Sequence, residues 1–235
     1  MHDVQKVSNG ITEGVIWKQI LLFFFPILFG TLFMTLYNTV DAVIVGQILG
    51  KEALAAVSGG TSTLTNLIIG FFNGMASGAT VVISQFYGAK DEDKVKKSLH
   101  TAIAISLLFG LVISVFGYLL TNPMLRLMAT PDEIFPLAST YLHIYFIGSI
   151  GLVVFNMASG VLRAFGDSKH PLGFLILGAL SNIVLDVIFI AVLKRGVRGA
   201  AEATVISQAV AAFATLIFLA TRKGLEKMEV KKMTT

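Results

Sequence analysis

Of 235 residues, 55% are hydrophobic and only 14% charged, with a mean hydropathy of +0.80; a soluble domain carries about 25% charge. The basic excess, 18 Lys+Arg against 14 Asp+Glu, punctuates apolar runs instead of forming a patch, which fits membrane topology and leaves no nucleic-acid partner. The absence of cysteine excludes disulfides, thiol nucleophiles and thiolate metal sites.

The polar N-terminus MHDVQKVSNGITEGVIWKQ shows no small-residue cleavage site after a short apolar core, so no cleaved signal peptide is expected. Apolar runs then follow near 17–49, 53–87, 99–120, 137–162, 172–193 and 200–220. A spanning helix needs about 20 such residues, so six transmembrane helices are predicted in a single all-α membrane domain over 1–235. Alternation of period 2 is absent, which argues against a membrane barrel.

The first run holds Pro26, which should kink its helix and serves either as a gate or as a static bend. The second contains GFFNGMASG, whose Gly70, Gly74 and Gly78 suit a close helix–helix packing face or the wall of a cavity. YGAKDEDKVKKSLH at 87–100 is predicted as a solvated turn that leads into the third helix with Asp91 to Asp93 at its start. LTNPMLRLMATPDEIFP at 120–136 is predicted as a proline-bounded loop. RAFGDSKHP at 163–171 turns into the fifth helix, with Pro171 in its first turn. The tail 221–235 is polar and basic, a flank for anionic membrane lipid. His143 and His170 are expected near helix ends. With the N-terminus inside, basic residues divide 13 inside to 5 outside, which puts both termini in the cytoplasm.

Of the 14 acids, only Asp41 and Asp186 lie well within apolar runs. An ionised Asp at the centre of a membrane helix costs about 2.5–3.5 kcal/mol on insertion scales, so proton or ion handling is the expectation, against a wetted structural carboxylate near the interface. Pro26 precedes Asp41 by 15 residues and Pro171 precedes Asp186 by 15. Both helices start on one side, so both carboxylates should sit about 22 Å along, at one depth. Asn38 and Asn182 share a face with their respective acids. Thr204 re-enters at the same depth, and this oxygen set suits H+ or Na+. The 18 Phe are expected to face lipid or pack; Tyr37, Phe155 and Met157 are the candidate lining of a substrate cavity, beside Asn38. No nucleophile, base and orienting group stand at catalytic spacing and no nucleotide loop is present, so neither an enzyme nor a cofactor is expected.

Pro26 followed by YNTVDAVIVGQILGKEALAAVS, then ISQFYGAKD, LRAFGDSKHP, SNIVLDVIF and GVRGAAEATVISQ, in that order, resembles the N-terminal half of the multidrug and toxic compound extrusion (MATE) transporters. The resemblance covers nearly the whole chain. It implies one six-helix lobe of a two-lobed antiporter, exporting small organic, often cationic, solutes in exchange for H+ or Na+ by alternating access. It implies a cation-coupling site at Asp41, Asn182, Asp186 and Thr204, which would be metal ligands only with Na+. It also implies bending of the first helix at Pro26. The missing half implies a second lobe or a second copy of the chain as partner. A lipid-linked oligosaccharide flippase of the same superfamily and a non-transporting truncated lobe are the alternatives. Glu202 stands where the family pattern is usually apolar, and Arg198 adds charge in the same turn.

Overall fold

A computed structural model describes residues 16–221, so the N-terminal stretch and the basic tail beyond Thr221 lie outside the described residues. Among the described residues seven helices follow one another: α1 (Ile16–Leu49), α2 (Lys51–Ser58), α3 (Gly60–Gly88), α4 (Glu92–Leu127), α5 (Phe135–Ala164), α6 (Lys169–Asp186) and α7 (Gly196–Thr221). A π-helical turn, Val187–Val192, prolongs α6. Because α2 and α3 together make one span, six helical segments are long and apolar enough to cross a membrane.

The breaks have local causes. Gly50 adopts φ +90, a conformation L side chains rarely tolerate, and turns the chain from α1 into α2. At Gly59 a Cβ would stand 2.5 Å from the carbonyl oxygen of Ala55, so only glycine permits the α2–α3 break that the sequence reads as one run. The long mixed-charge turn predicted at 87–100 contracts to 89–91. Asp91 caps α4 by accepting from the Lys94 N–H at 3.1 Å, and Lys94 holds its carboxyl below the usual carboxylate range. The predicted loop at 120–136 is corrected as well: α4 continues through Pro123 to Leu127. A helix supplies every backbone partner from within, so an apolar span prolongs it where a soluble chain would turn.

α5 is the most buried element and packs against α4, α7 and α3. Small residues permit this. A Cβ at Gly160 would lie 2.8 Å from Thr80 Oγ1, one at Gly151 3.2 Å from the Ala209 nitrogen, and one at Gly110 3.1 Å from the Ile150 Cα. Gly117 and Gly148 are occluded just as tightly, by Phe146 and Val205. Thr80 donates to the Gly160 carbonyl at 2.9 Å, tying α3 to α5. Three buried clusters result, centred on Tyr145 and Ile190, on Phe72 and Phe146, and on Met157 and Ile83. α1 is peripheral and displays Phe24, Phe25, Phe29 and Leu36 outward, as a membrane-facing helix does.

The expected packing face of Gly70, Gly74 and Gly78 does not pack within the lobe. All three are exposed, and a Cβ on any of them would meet nothing within 4 Å. Close approach falls to the glycines of α4 and α5 instead, because α5 is the helix every neighbour must reach. His143 is likewise not at a helix end: it lies inside α5, half-buried, its Nδ1 2.7 Å from the Ser139 carbonyl and its ring edge-on to Tyr118.

Gly117→Ala should therefore destabilise the detergent-purified chain by about 1–3 kcal/mol through overpacking. Gly74→Ala should be neutral or slightly stabilising, since alanine is the better helix former. Thermal unfolding followed by circular dichroism distinguishes the two, and equal effects would contradict this packing.

Candidate functional site: a buried carboxylate pair

α1 and α6 run in the same sense, each entering the lobe near a proline and carrying an aspartate 15 residues later. The proline echo is spatial as well as sequential, since Pro26 and Pro171 line one cavity. At the other end the carboxylates of Asp41 and Asp186 lie within hydrogen-bonding reach of each other. Asp186 is fully buried and Asp41 half-buried. In each, Oδ1 is shielded from solvent and has no hydrogen-bond partner among the described residues. Two carboxylates accept and cannot donate, so a proton or a cation must stand between them for the pair to persist in an apolar interior.

Neutral groups complete the nest. The Asn182 amide is fully buried one turn before Asp186, and the amide orientation that satisfies both its ends donates to Asp186 Oδ2 at 2.8 Å and accepts from the Thr204 N–H at 3.2 Å. Thr204 donates its hydroxyl proton to the Ala200 carbonyl at 3.0 Å, which leaves the oxygen's lone pairs turned to the site. The π-helical turn begins immediately after Asp186. Such turns shift the register of the residues that follow and are frequent at functional sites. The oxygens gathered here are hard donors, of the kind that take a proton or a hard cation.

Tyr37 joins this nest, adjacent to both acids and to Thr204. Phe155 lines the cavity on the proline side. Met157 does not: it is 2% exposed and packed with Ala76, Ile83 and Val161 in the core. Asn38 is also left out, because it lies on the exposed face of α1; three residues of helix bring it only partly round towards Asp41. The pattern of buried acids could not reveal Tyr141, Tyr145 and Gln208. Tyr141 approaches Thr204 and Asp41. Tyr141 and Tyr145 stack with ring centroids 6.2 Å apart. The Tyr145 hydroxyl is buried beside the Gln208 side chain. The four-residue spacing of the tyrosines on one face of α5 was the available signal. Glu202, two residues before Thr204, is held away from the nest: Arg195 and Arg198 both bind its carboxylate, the latter at 3.0 Å. The unexpected acid is thus neutralised at the mouth of α7.

Neutralising one member of a buried like-charged pair should stabilise the fold at the expense of cation binding. In Na+-free detergent at pH 9, Asp41→Asn should be more stable than the native chain by about 1–3 kcal/mol, and any Na+-induced rise in the melting midpoint should vanish. A lower midpoint with an intact Na+ response would contradict the pairing.

Comparison with known proteins bears on the fold and the family. The family model MatE matches residues 26–188. The probable multidrug resistance protein YpnP of Bacillus subtilis is 37% identical over 214 residues, 90% of this chain and 47% of that protein. A MOP superfamily transporter from Pyrococcus furiosus superposes with a TM-score of 0.85 at 31% identity, over 92% of this chain and 47% of the other. A crystal structure of MATE in the straight conformation gives 0.84 at 31% identity, again over 92% and 47%. The chain spans about half the length of the relatives it matches.

Proposed function

The chain belongs to the MatE family, whose members are membrane transporters and not enzymes, and on that premise we propose that it forms the cation-coupled lobe of a multidrug antiporter. The carrying observation is the Asp41–Asp186 pair, two buried acceptors facing each other with an unpaired oxygen apiece. In this reading H+ or Na+ enters between them, with Asn182 and Thr204 as neutral oxygen ligands. Loading the site removes the repulsion between α1 and α6, and unloading restores it. That difference in free energy between two arrangements of α1 is what an exchanger needs, because a ligand shifts an equilibrium only by its differential affinity for the two states. Pro26 lies inside α1, where the missing N–H removes one rung of the ladder, and in this reading it is the hinge between the two arrangements.

The exported solutes are small organic compounds, in keeping with the multidrug naming of the Bacillus relative. Tyr37, beside the carboxylate pair, is the candidate contact. A single six-helix domain needs a partner to close a cleft, either a second lobe or a second copy of this chain. The exposed, small or polar side of α3, with Asn66, Gly70, Asn73 and Ser77, together with Thr31, Thr35 and Thr39 of α1, suits such a water-bearing cleft better than lipid. The three threonines donate to carbonyls one turn back at 3.1, 3.1 and 2.9 Å, so they add no unmet donor to the face. The setting is the cell membrane, with both termini in the cytoplasm by the distribution of basic residues.

Vesicles carrying the chain and loaded with a cationic dye provide the test. An imposed H+ or Na+ gradient should drive dye movement, and Asp41→Asn and Asp186→Asn should each abolish it while insertion is retained. Full coupled transport in Asp41→Asn would remove the assignment. Chemical crosslinking in the same vesicles should capture a pair of lobes, and monomers alone would argue against self-pairing.

A further inference from the structure

At the proline end of the lobe, α1, α3, α5 and α6 line a half-open cavity of about 390 Å³. Asn156, Ser159 and Arg163 of α5 reach it from one face, at helical spacings of three and four. Ser168 joins them from the start of α6, and Met34, Phe155 and Leu175 contribute apolar wall.

Thr31 of α1 and Asn73 of α3 add neutral polar lining, but the charge in this cavity is one-sided. Arg163 brings a full positive charge on a half-buried side chain. No acidic residue lines the cavity, and among the described residues no carboxylate pairs with Arg163. The nearest acid along the chain, Asp167, is directed to His170, whose Nδ1 lies 2.7 Å and backbone N–H 3.2 Å from its two oxygens. Ser159 is 2% exposed, and its hydroxyl has no hydrogen-bond partner among the described residues. Asn156 uses one amide N–H on the Leu152 carbonyl at 2.9 Å and keeps its other polar valences. Ser168, 6% exposed at the N-cap of α6, makes no side-chain bond to its own helix, so the positive end of that helix dipole adjoins the cavity.

A guanidinium withdrawn from water without a counter-ion is costly, as is a buried hydroxyl without a partner. One anionic group would relieve both, and a planar fork of N–H donors is the side chain best shaped for phosphate or carboxylate. The apolar wall calls for a body to match. We propose that this cavity binds an amphiphilic anion, with a phosphate or carboxylate held by Arg163 and Ser159 and an apolar portion against Met34, Phe155 and Leu175. The site is separate from the carboxylate pair, so it stands or falls independently of cation coupling. From the sequence Arg163 reads as a topogenic charge in a turn; the fold makes it a recognition group. A lipid headgroup and a soluble amphiphile present the same chemistry.

The test uses the full chain in phosphatidylcholine nanodiscs, with equilibrium binding of 1-naphthyl phosphate and of its cationic counterpart 1-naphthylmethylamine. The phosphate should bind at least tenfold more tightly than the amine. Arg163→Gln should erase that preference, Arg163→Lys should keep part of it, and Ser159→Ala should weaken the phosphate severalfold. Asp41→Asn should leave it unchanged, which separates this site from the antiport reading. Adding phosphatidylglycerol to the discs distinguishes the sources. Competition with naphthyl phosphate, and retention of that lipid by the native chain but not by Arg163→Gln in mass spectrometry, supports a headgroup site; equal binding in both discs supports a soluble ligand. Equal affinity for phosphate and amine overturns the proposal, as does unchanged phosphate affinity in Arg163→Gln. Should that variant fail to insert, wild-type affinity in both Arg163→Lys and Ser159→Ala overturns it equally.

Discussion

The repulsion between two buried carboxylates is the constraint around which this lobe is arranged. Asp41 and Asp186 come from helices far apart in sequence, and neither could hold its place unless both helices were fixed at the same depth. Water would dissipate the charge at once, but an apolar interior does not, and each carboxylate keeps one oxygen without a partner among the described residues. Asn182 and Thr204 occupy the remaining sides of the nest, so the site has hard oxygens on every side and no spare cation of its own.

That precision rests on α5, which touches neither Asp directly through a charge of its own yet organises the helices that bear them. Its glycines and small residues let α3, α4 and α7 approach to contact distance. In a bilayer, burial of apolar surface does not drive helices together, so dispersion contacts and short hydrogen bonds at close approach must do so. The Thr80–Gly160 bond is one of these. Along its length α5 also carries two kinds of chemistry. Tyr141 and Tyr145 stand beside the carboxylate nest, whereas Asn156, Ser159 and Arg163 face the cavity at the opposite end. An acidic end and a basic end are thus separated within one lobe by roughly half a membrane thickness of helix.

The exposed charges are arranged to stay out of this interior. Glu202 would bring a third carboxylate close to Thr204, but Arg195 and Arg198 hold it at the mouth of α7. Gly50 and the π-helical turn after Asp186 adjust the chain where ideal helices would carry side chains past the site.

Composition and periodicity by themselves determined that this is a six-span helical membrane protein, because an apolar run long enough to cross a bilayer has almost no other stable form. The rarity of acids in those runs also singled out Asp41 and Asp186, since the cost of burial makes each one conspicuous; helical spacing and depth then added Asn182 and Thr204. Which small residues pack was decided only by the tertiary structure. Gly70, Gly74 and Gly78 have the right spacing but face outward, whereas Gly110, Gly117 and Gly160 meet neighbours. Met157 and Phe155 look equivalent in sequence, yet the rotation of α5 sends one into the core and the other into a cavity. Spacing fixes which residues share a helix face; what that face meets depends on the helices packed around it, and those come from distant parts of the chain.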